Sequence, residues 1–203
     1  MSTRAGIIAV AVATLLLSGC TEDEGRPVAG STEPTDPAMS TPAQQPSSSS
    51  PEAPKVNNPI TNLEQFKQSP CDMVTDQQAK SLGFNPGEPS EDATYGPACD
   101  WHDDNFGYFG LTLLNNQPLG IAGIYRNQEQ GRYGYFEPVD VAGYPGVYAD
   151  AYDARKEGGC TLNVGVTDTQ VVTVTALLNE NEAEACDLAL QAAEAAVKTM
   201  SEG

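Results

Sequence analysis

Five cysteines restrict the possible folds of this 203-residue chain more than any other residues in its sequence. Cys20 ends a short apolar stretch near the N terminus, and the others follow much later at Cys71, Cys99, Cys160 and Cys186. Four cysteines in an oxidising compartment can form two disulfides in three alternative pairings, whereas five leave one thiol over. The chemical fate of Cys20 therefore decides how the other four are interpreted.

The N-terminal segment, residues 1–19, has the features of a lipoprotein signal peptide. Arg4 supplies a positive charge, and residues 5–17 form an uncharged apolar run that is shorter than the roughly 20 residues a membrane-spanning helix needs. The run ends in Leu-Ser-Gly-Cys, which resembles the bacterial lipobox. This resemblance implies cleavage after Gly19 and a diacylglycerol on Cys20, with acyl groups such as palmitate. The alternative is an ordinary secretory signal followed by an unrelated cysteine.

With Cys20 assigned to a lipid, we favour the pairs Cys71–Cys99 and Cys160–Cys186, because each then closes a local loop of similar size. A disulfide closing such a loop stabilises a domain by about 3–4 kcal/mol. The wide spacings lack a Cys-x-x-Cys pair, which disfavours a zinc site. A catalytic thiol is also disfavoured, since the chain has a single histidine.

A change in composition divides the mature chain into a tether and a domain. Residues 20–59 are rich in Pro, Ser, Thr and Ala, a composition that cannot bury enough apolar surface to offset chain entropy. We predict a disordered tether that spans about 35 Å and spaces the domain from the membrane. Residues 60–203 are predicted to form one globular domain.

Local patterns within this domain predict an α+β fold, with a few helices packed on a mainly antiparallel sheet and two disulfides. Thr75 and Gln78 form a capping-box pattern at the start of a short helix that ends near Gly83. A loop is predicted at 84–98, a second helix at 119–130, and a last helix that Asn179 caps. Strands are predicted at 99–102, 108–115, 135–141, 147–152, 161–167 and 170–178.

Several motifs together resemble a known family. They are PKVNNPI at 54–60, SPCDMVT at 69–75, GPACDW at 96–101, GIAGIY at 120–125, YFEPVDVAGYPGVYA at 135–149 and GGCTLNVGV at 158–166. In this order, with both cysteine pairs, they resemble the actinobacterial lipoprotein family known as domain of unknown function 3558. The resemblance implies a lipid-anchored envelope protein of an actinobacterium. It implies no activity, and it carries over no catalytic residue.

The charge and the scarcity of histidine exclude several functions. A net charge of -18 repels nucleic-acid phosphates and anionic lipid surfaces, so we expect no nucleic-acid partner. His102 has acidic neighbours in DWHDDN, but alternate side chains of a strand point to opposite faces and cannot all reach one metal ion. We expect no metal, no cofactor and no catalytic residues.

The aromatic segment at 120–152 is the best candidate for a binding surface, because tyrosine and arginine are enriched at protein contacts. We place a possible surface at Tyr125, Arg126, Tyr144 and Pro145. The simpler interpretation is that Tyr125, Phe136 and Tyr148 belong to the core and that GYPG at 143–146 is a turn.

These features together predict a membrane-anchored lipoprotein on the extracytoplasmic face of the cell membrane. We expect a non-catalytic module that binds an envelope protein or a small ligand. One alternative is an envelope hydrolase or wall-modifying enzyme that uses acidic residues, for which the requirement is a cleft holding two carboxylates with raised pKa values. Another alternative is a wall-spacing protein without a ligand.

Overall fold

An antiparallel sheet organises the residues that the computed structural model describes, which are 52–179 and 184–203. Within these ranges the strands are β1 (Glu88–Pro89), β2 (Ala98–His102), β3 (Tyr108–Leu113), β4 (Tyr135–Val141), β5 (Tyr144–Asp150), β6 (Gly159–Thr167) and β7 (Gln170–Leu177). The α-helices are α1 (Leu63–Gln68), α2 (Asp76–Ser81), α3 (Ile121–Glu129) and α4 (Glu184–Glu202). Short 3₁₀ helices form at Pro70–Met73 and Ala154–Glu157.

The strand order is β1-β2-β3-β7-β6-β5-β4, and every neighbouring pair is antiparallel. Three hairpins supply most of this order, namely β2–β3, β4–β5 and β6–β7. The chain crosses the sheet between β3 and β4, and α3 lies in that connection. The predicted α+β class with an antiparallel sheet and two disulfides is confirmed.

One face of the sheet carries the main hydrophobic core. The side chains of β3, β6 and β7 that alternate onto this face are buried, and they contact α4 along its length. Most of the buried residues of α4 are alanines, which let the helix axis approach the sheet closely. On β2, Trp101 stacks on Phe109 with ring centroids 4.9 Å apart, and Phe84 meets Phe109 edge-on.

The opposite face of the sheet is only partly covered. Helix α3 packs there through a smaller cluster that comprises Ile121, Ile124, Tyr125, Val147, Ala149 and Val171. Beyond that cluster, Thr175 and Leu177 of β7 lie on the same face and are exposed. An antiparallel sheet tolerates this arrangement, because one of its faces can be solvated.

The two disulfides have the predicted pairing. Cys71–Cys99 joins the first 3₁₀ helix to β2, and Cys160–Cys186 joins β6 to α4, with Cα atoms 5.0 and 5.1 Å apart. Both bridges therefore attach a helical segment to the core face of the sheet.

Several local predictions need correction. The GYPG segment is not a turn, because Tyr144 already begins β5 and the two-residue hairpin turn is Ala142–Gly143, both with positive φ. Positive φ at both central residues is typical of a type I′ hairpin turn. The predicted loop at 84–98 contains the short strand β1, and α1 was not predicted. The Thr75–Gln78 capping box at α2 is confirmed.

Some predictions fall on residues that the structure does not describe. The signal peptide, Cys20 and residues 20–51 of the tether lie outside the described ranges. Residues 180–183, between Asn179 and the described start of α4, also lie outside the described ranges. The role of Asn179 as the cap of the last helix therefore stays a prediction. The end of the predicted tether includes Ala53 and Val56, which contact the hydrophobic clusters. No described helix is both long enough and apolar enough to cross a membrane.

Two glycines with similar backbone angles provide a test of this fold. Gly131 (φ +68°) faces open space, whereas a Cβ on Gly158 (φ +74°) would overlap the backbone carbonyl of Leu178. We expect Gly131→Ala to lower the free energy of unfolding by about 1–2 kcal/mol through backbone strain alone. Gly158→Ala should lower the free energy of unfolding by about 1–3 kcal/mol more than Gly131→Ala does, because of the overlap with Leu178. Urea unfolding measures both, and equal losses would contradict the packing of Leu178 on Gly158.

Candidate functional site

A groove of about 430 Å³ lies on the uncovered sheet face, at the end of the sheet where β5 ends and β6 begins. The Ala154–Glu157 helix borders the groove. We call it the sheet-end groove and define it by Tyr108, Asp150, Tyr152, Glu157, Thr161, Thr175 and Leu177.

The antiparallel register assembles the floor of the groove from three strands that are distant in sequence. Tyr108 of β3 pairs with Leu177 of β7, and Leu177 in turn pairs with Gly159 of β6. In the next row, Thr175 pairs with Thr161. Because paired residues share a face, an aromatic ring, an aliphatic side chain and two hydroxyls lie side by side.

Tyr108 is held in place by two contacts on the sheet. The Tyr108 side chain lies across Gly110, where an added Cβ would overlap the phenol. The Tyr108 hydroxyl donates a hydrogen bond of 3.0 Å to Asp100 Oδ1. Burial is the main cause that raises the pKa of Tyr108, and the negative charge of Asp100 and this hydrogen bond add to it. The phenol therefore remains a neutral donor, and the ring forms a fixed wall.

The 3₁₀ helix Ala154–Glu157 forms another wall and is anchored by Arg155. The Arg155 guanidinium donates two hydrogen bonds of 2.7 Å to Asp153 and lies 3.8 Å from the centre of the Tyr135 ring. The hydrogen bond from Arg155 lowers the pKa of Asp153 to about 2. Gly158 then ends the helix in the left-handed conformation. These contacts fix the position of the groove wall next to Glu157.

The groove combines exposed apolar surface with carboxylates. Tyr152 is 63% exposed and Leu177 is 45% exposed. Asp150 Oδ2 accepts a hydrogen bond of 3.1 Å from the Thr161 N–H. Among the described residues, neither Asp150 nor Glu157 forms an ion pair. Such a combination suits contact with a partner that brings both apolar surface and positive charge.

The four residues of the predicted binding surface do not share one site. Tyr125 and Pro145 line a second cavity of about 380 Å³, together with Pro54 and Lys55. Arg126 is exposed on α3. Tyr144 is 9% exposed and belongs to the core cluster on the opposite face of the sheet. Alternation along β5 explains why Tyr144 and its neighbour Pro145 are separated.

The acidic loop after β2 forms a stable turn. Asp103 Oδ1 accepts hydrogen bonds from the N–H groups of Asn105 (2.8 Å) and Gly107 (2.6 Å), and Asp104 Oδ1 accepts one from Asn85. Within residues 52–179 and 184–203, no group of three or more His, Cys, Asp or Glu side chains is placed to hold a metal ion. These acidic side chains act as local hydrogen-bond acceptors for the turn.

Sequence reasoning missed most of the sheet-end groove. Tyr152 is the last residue of the aromatic segment at 120–152. Tyr108 and Leu177 lie in predicted strands, and no motif around either of them indicates a binding site. The register between β3 and β7 brings these two residues together from 69 positions apart. A periodic strand pattern does not reveal which strands pair, so no local signal marks the groove.

Comparison with known proteins places the chain within a family. A family model described as a protein of unknown function (DUF3558) matches residues 15–199. The predicted family is thereby confirmed, while its lipoprotein and actinobacterial character stay predictions. No curated protein and no solved structure matches the chain.

The raised pKa of Tyr135 predicts a measurable dependence of stability on pH. Burial, and then the hydrogen bond that Tyr135 donates to Glu137, raise the pKa of Tyr135 to about 12. A raised folded-state pKa contributes stability that is complete below about pH 10 and is lost as the pH rises towards 12. We expect the free energy of unfolding to fall between about pH 10 and pH 12, with Tyr135 contributing to the fall.

The substitution Tyr135→Phe should make this fall shallower, because it removes one group that ionises more readily in the unfolded chain. Tyr95→Phe, which changes a tyrosine that is 73% exposed, serves as the control and should leave the slope unchanged. Urea titrations at several pH values measure the slopes. Identical slopes in native protein and Tyr135→Phe would contradict the assigned pKa.

Proposed function

Because this chain belongs to the DUF3558 family, whose function is unknown, we propose that it is a non-catalytic binding module of the cell envelope. In this proposal a lipid on Cys20 anchors the chain at the extracytoplasmic face of the membrane, and the sheet-end groove holds the partner. The observation that carries the proposal is the groove itself, where exposed Tyr152 and Leu177 lie beside the fixed ring of Tyr108.

The groove has the properties of a contact surface. Exposed large apolar side chains cost solvation free energy, and neighbouring ones often mark interaction sites. Two of the five large hydrophobic side chains that are most exposed in the described part, Tyr152 and Leu177, line this one groove. Its walls are also fixed before binding, by the Tyr108–Asp100 hydrogen bond and the Arg155–Asp153 pair. A preformed surface loses less conformational entropy on binding.

The position of the groove is compatible with anchoring through the N-terminal segment. Pro54 and Lys55 lie near Pro145, at the start of β5, whereas Asp150 at the end of β5 lines the groove. Seven strand residues separate these ends by about 20 Å. Pro54 and Lys55, close to the start of the described chain, therefore lie away from the groove.

The two disulfides support a role outside the cytoplasm. Disulfides persist mainly in oxidising compartments, and both bridges join helical segments to the sheet. Each closes a loop long enough to contribute about 3–4 kcal/mol. A domain stabilised in this way is suited to an oxidising compartment.

The lipid anchor is tested at the N terminus of the mature protein. We expect mass spectrometry of the protein from its native envelope to find an N-terminal peptide that begins at Cys20 and carries acyl chains. Cys20→Ala should abolish the acylated peptide and leave residues 1–19 uncleaved. Ser18→Ala keeps a small residue in the motif and should be processed normally. An unmodified N terminus at another residue would contradict the anchor.

The groove is tested with photo-crosslinking side chains placed by matched exposure. Tyr152 and Leu177 are the test positions; Tyr95 (73% exposed) and Leu119 (45% exposed, as is Leu177) are the controls. We expect the two groove positions to give the same crosslinked adduct in the native envelope and the controls to give none of it. An equal yield of that adduct at all four positions, or no adduct at the groove, would contradict the proposed site.

A further inference from the structure

We infer that the sheet-end groove binds a basic segment of a protein partner, in which an arginine or lysine side chain is next to an apolar residue. This inference rests on the proposed function, because it takes the groove to be the binding site. It adds the chemical class of the partner and the residues that recognise it.

Uncompensated negative charge points to a cationic group. Asp150 and Glu157 line the groove, and the described residues place no lysine or arginine in its lining. Of the two basic residues just before Glu157, Arg155 is already paired with Asp153. Lys156 is exposed and forms no ion pair among the described residues. The whole chain carries a net charge of -18, so its field attracts a basic partner and repels an acidic one.

The apolar lining of the groove suits the remainder of such a side chain. Arginine and lysine lay their aliphatic stems along apolar surface while the charged head reaches polar groups. Leu177 offers that surface, and the rings of Tyr108 and Tyr152 can also attract a cation through their π faces. The row of Thr161 and Thr175 adds hydroxyl groups beside them.

The open shape favours a protein segment over a small molecule. Small-ligand sites bury most of the ligand surface, but Tyr152 and Leu177 remain 63% and 45% exposed in this groove. A volume of about 430 Å³ holds one long side chain and a neighbour that project from a larger surface. The rest of the partner can then cover the exposed rims of Tyr152 and Leu177.

The test is a selection from a random peptide display library on the full lipidated chain, purified in detergent. We expect the enriched peptides to carry an arginine or lysine next to an apolar residue, and their affinity to fall as the salt concentration rises. Enriched peptides without a cationic residue would overturn the inference.

Charge-neutralising variants identify the residues involved. Asp150→Asn combined with Glu157→Gln should weaken the selected peptides about tenfold, as expected for two partly exposed charge contacts. Glu91→Gln combined with Glu129→Gln changes the net charge equally at exposed positions outside the groove and should leave affinity within about twofold. Equal losses in both double variants would show a general charge effect and overturn the assignment.

Asp150 also accepts a backbone hydrogen bond from Thr161, so its substitution can disturb the sheet. The single variant Glu157→Lys avoids that contact and, because it reverses one charge, should weaken binding about tenfold while the thermal unfolding midpoint stays unchanged. Unchanged affinity of Glu157→Lys would overturn the role of the groove carboxylates.

The outcomes also separate this inference from the proposed function. If Tyr152 and Leu177 positions crosslink to a partner but the selected peptides are not basic, the binding module stands and the basic segment is rejected. A small organic cation that co-purifies with the native protein, with no peptide enriched, would replace the protein segment as occupant. If neither crosslinks nor peptides depend on the groove, the proposed site fails as well.

Discussion

The packing of α4 on the sheet is the interaction on which the rest of the domain depends. The helix buries one side against β6 and β7, and that side consists mainly of alanine with Leu188, Val197 and Met200. Burying each larger side chain contributes about 1.5–3 kcal/mol. Since successive side chains of a strand point to opposite faces, only every second side chain of β6 and β7 packs under α4, and the others point the other way. That alternation creates a second face with different chemistry.

The second face forms the sheet-end groove at the point where α3 no longer covers it. Helix α3 seals the region around Val147 and Val171, but at the opposite end of the sheet Leu177 remains exposed. There the 3₁₀ helix held by Arg155 and Asp153 adds a side wall. The groove thus arises because the sheet is only partly covered on this face. The disulfide Cys160–Cys186 links β6, one of the strands of the groove, to α4 on the other face.

Predictions from the sequence were accurate where a local pattern carries the information. The Thr75–Gln78 box, the antiparallel strands and the helix after Asn179 each follow from residues close in sequence. Errors arose where neighbours in space decide the outcome. Tyr144 and Pro145 have turn-forming neighbours, yet pairing with Val141 and Asp140 makes them strand residues. Alternation along β5 then places these two residues on opposite faces, so the predicted surface around them is divided.

The sequence by itself determined the class of fold and the family, because periodicity and ordered motifs lie along the chain. It favoured one of three cysteine pairings, which the structure then showed. It also supplied the expectation of a lipid at Cys20. Only the tertiary structure decided where the sheet-end groove forms. Tyr108, Asp150 and Leu177 meet through a strand order in which β7 lies between β3 and β6. Strand order depends on long-range contacts, which no local pattern of residues specifies.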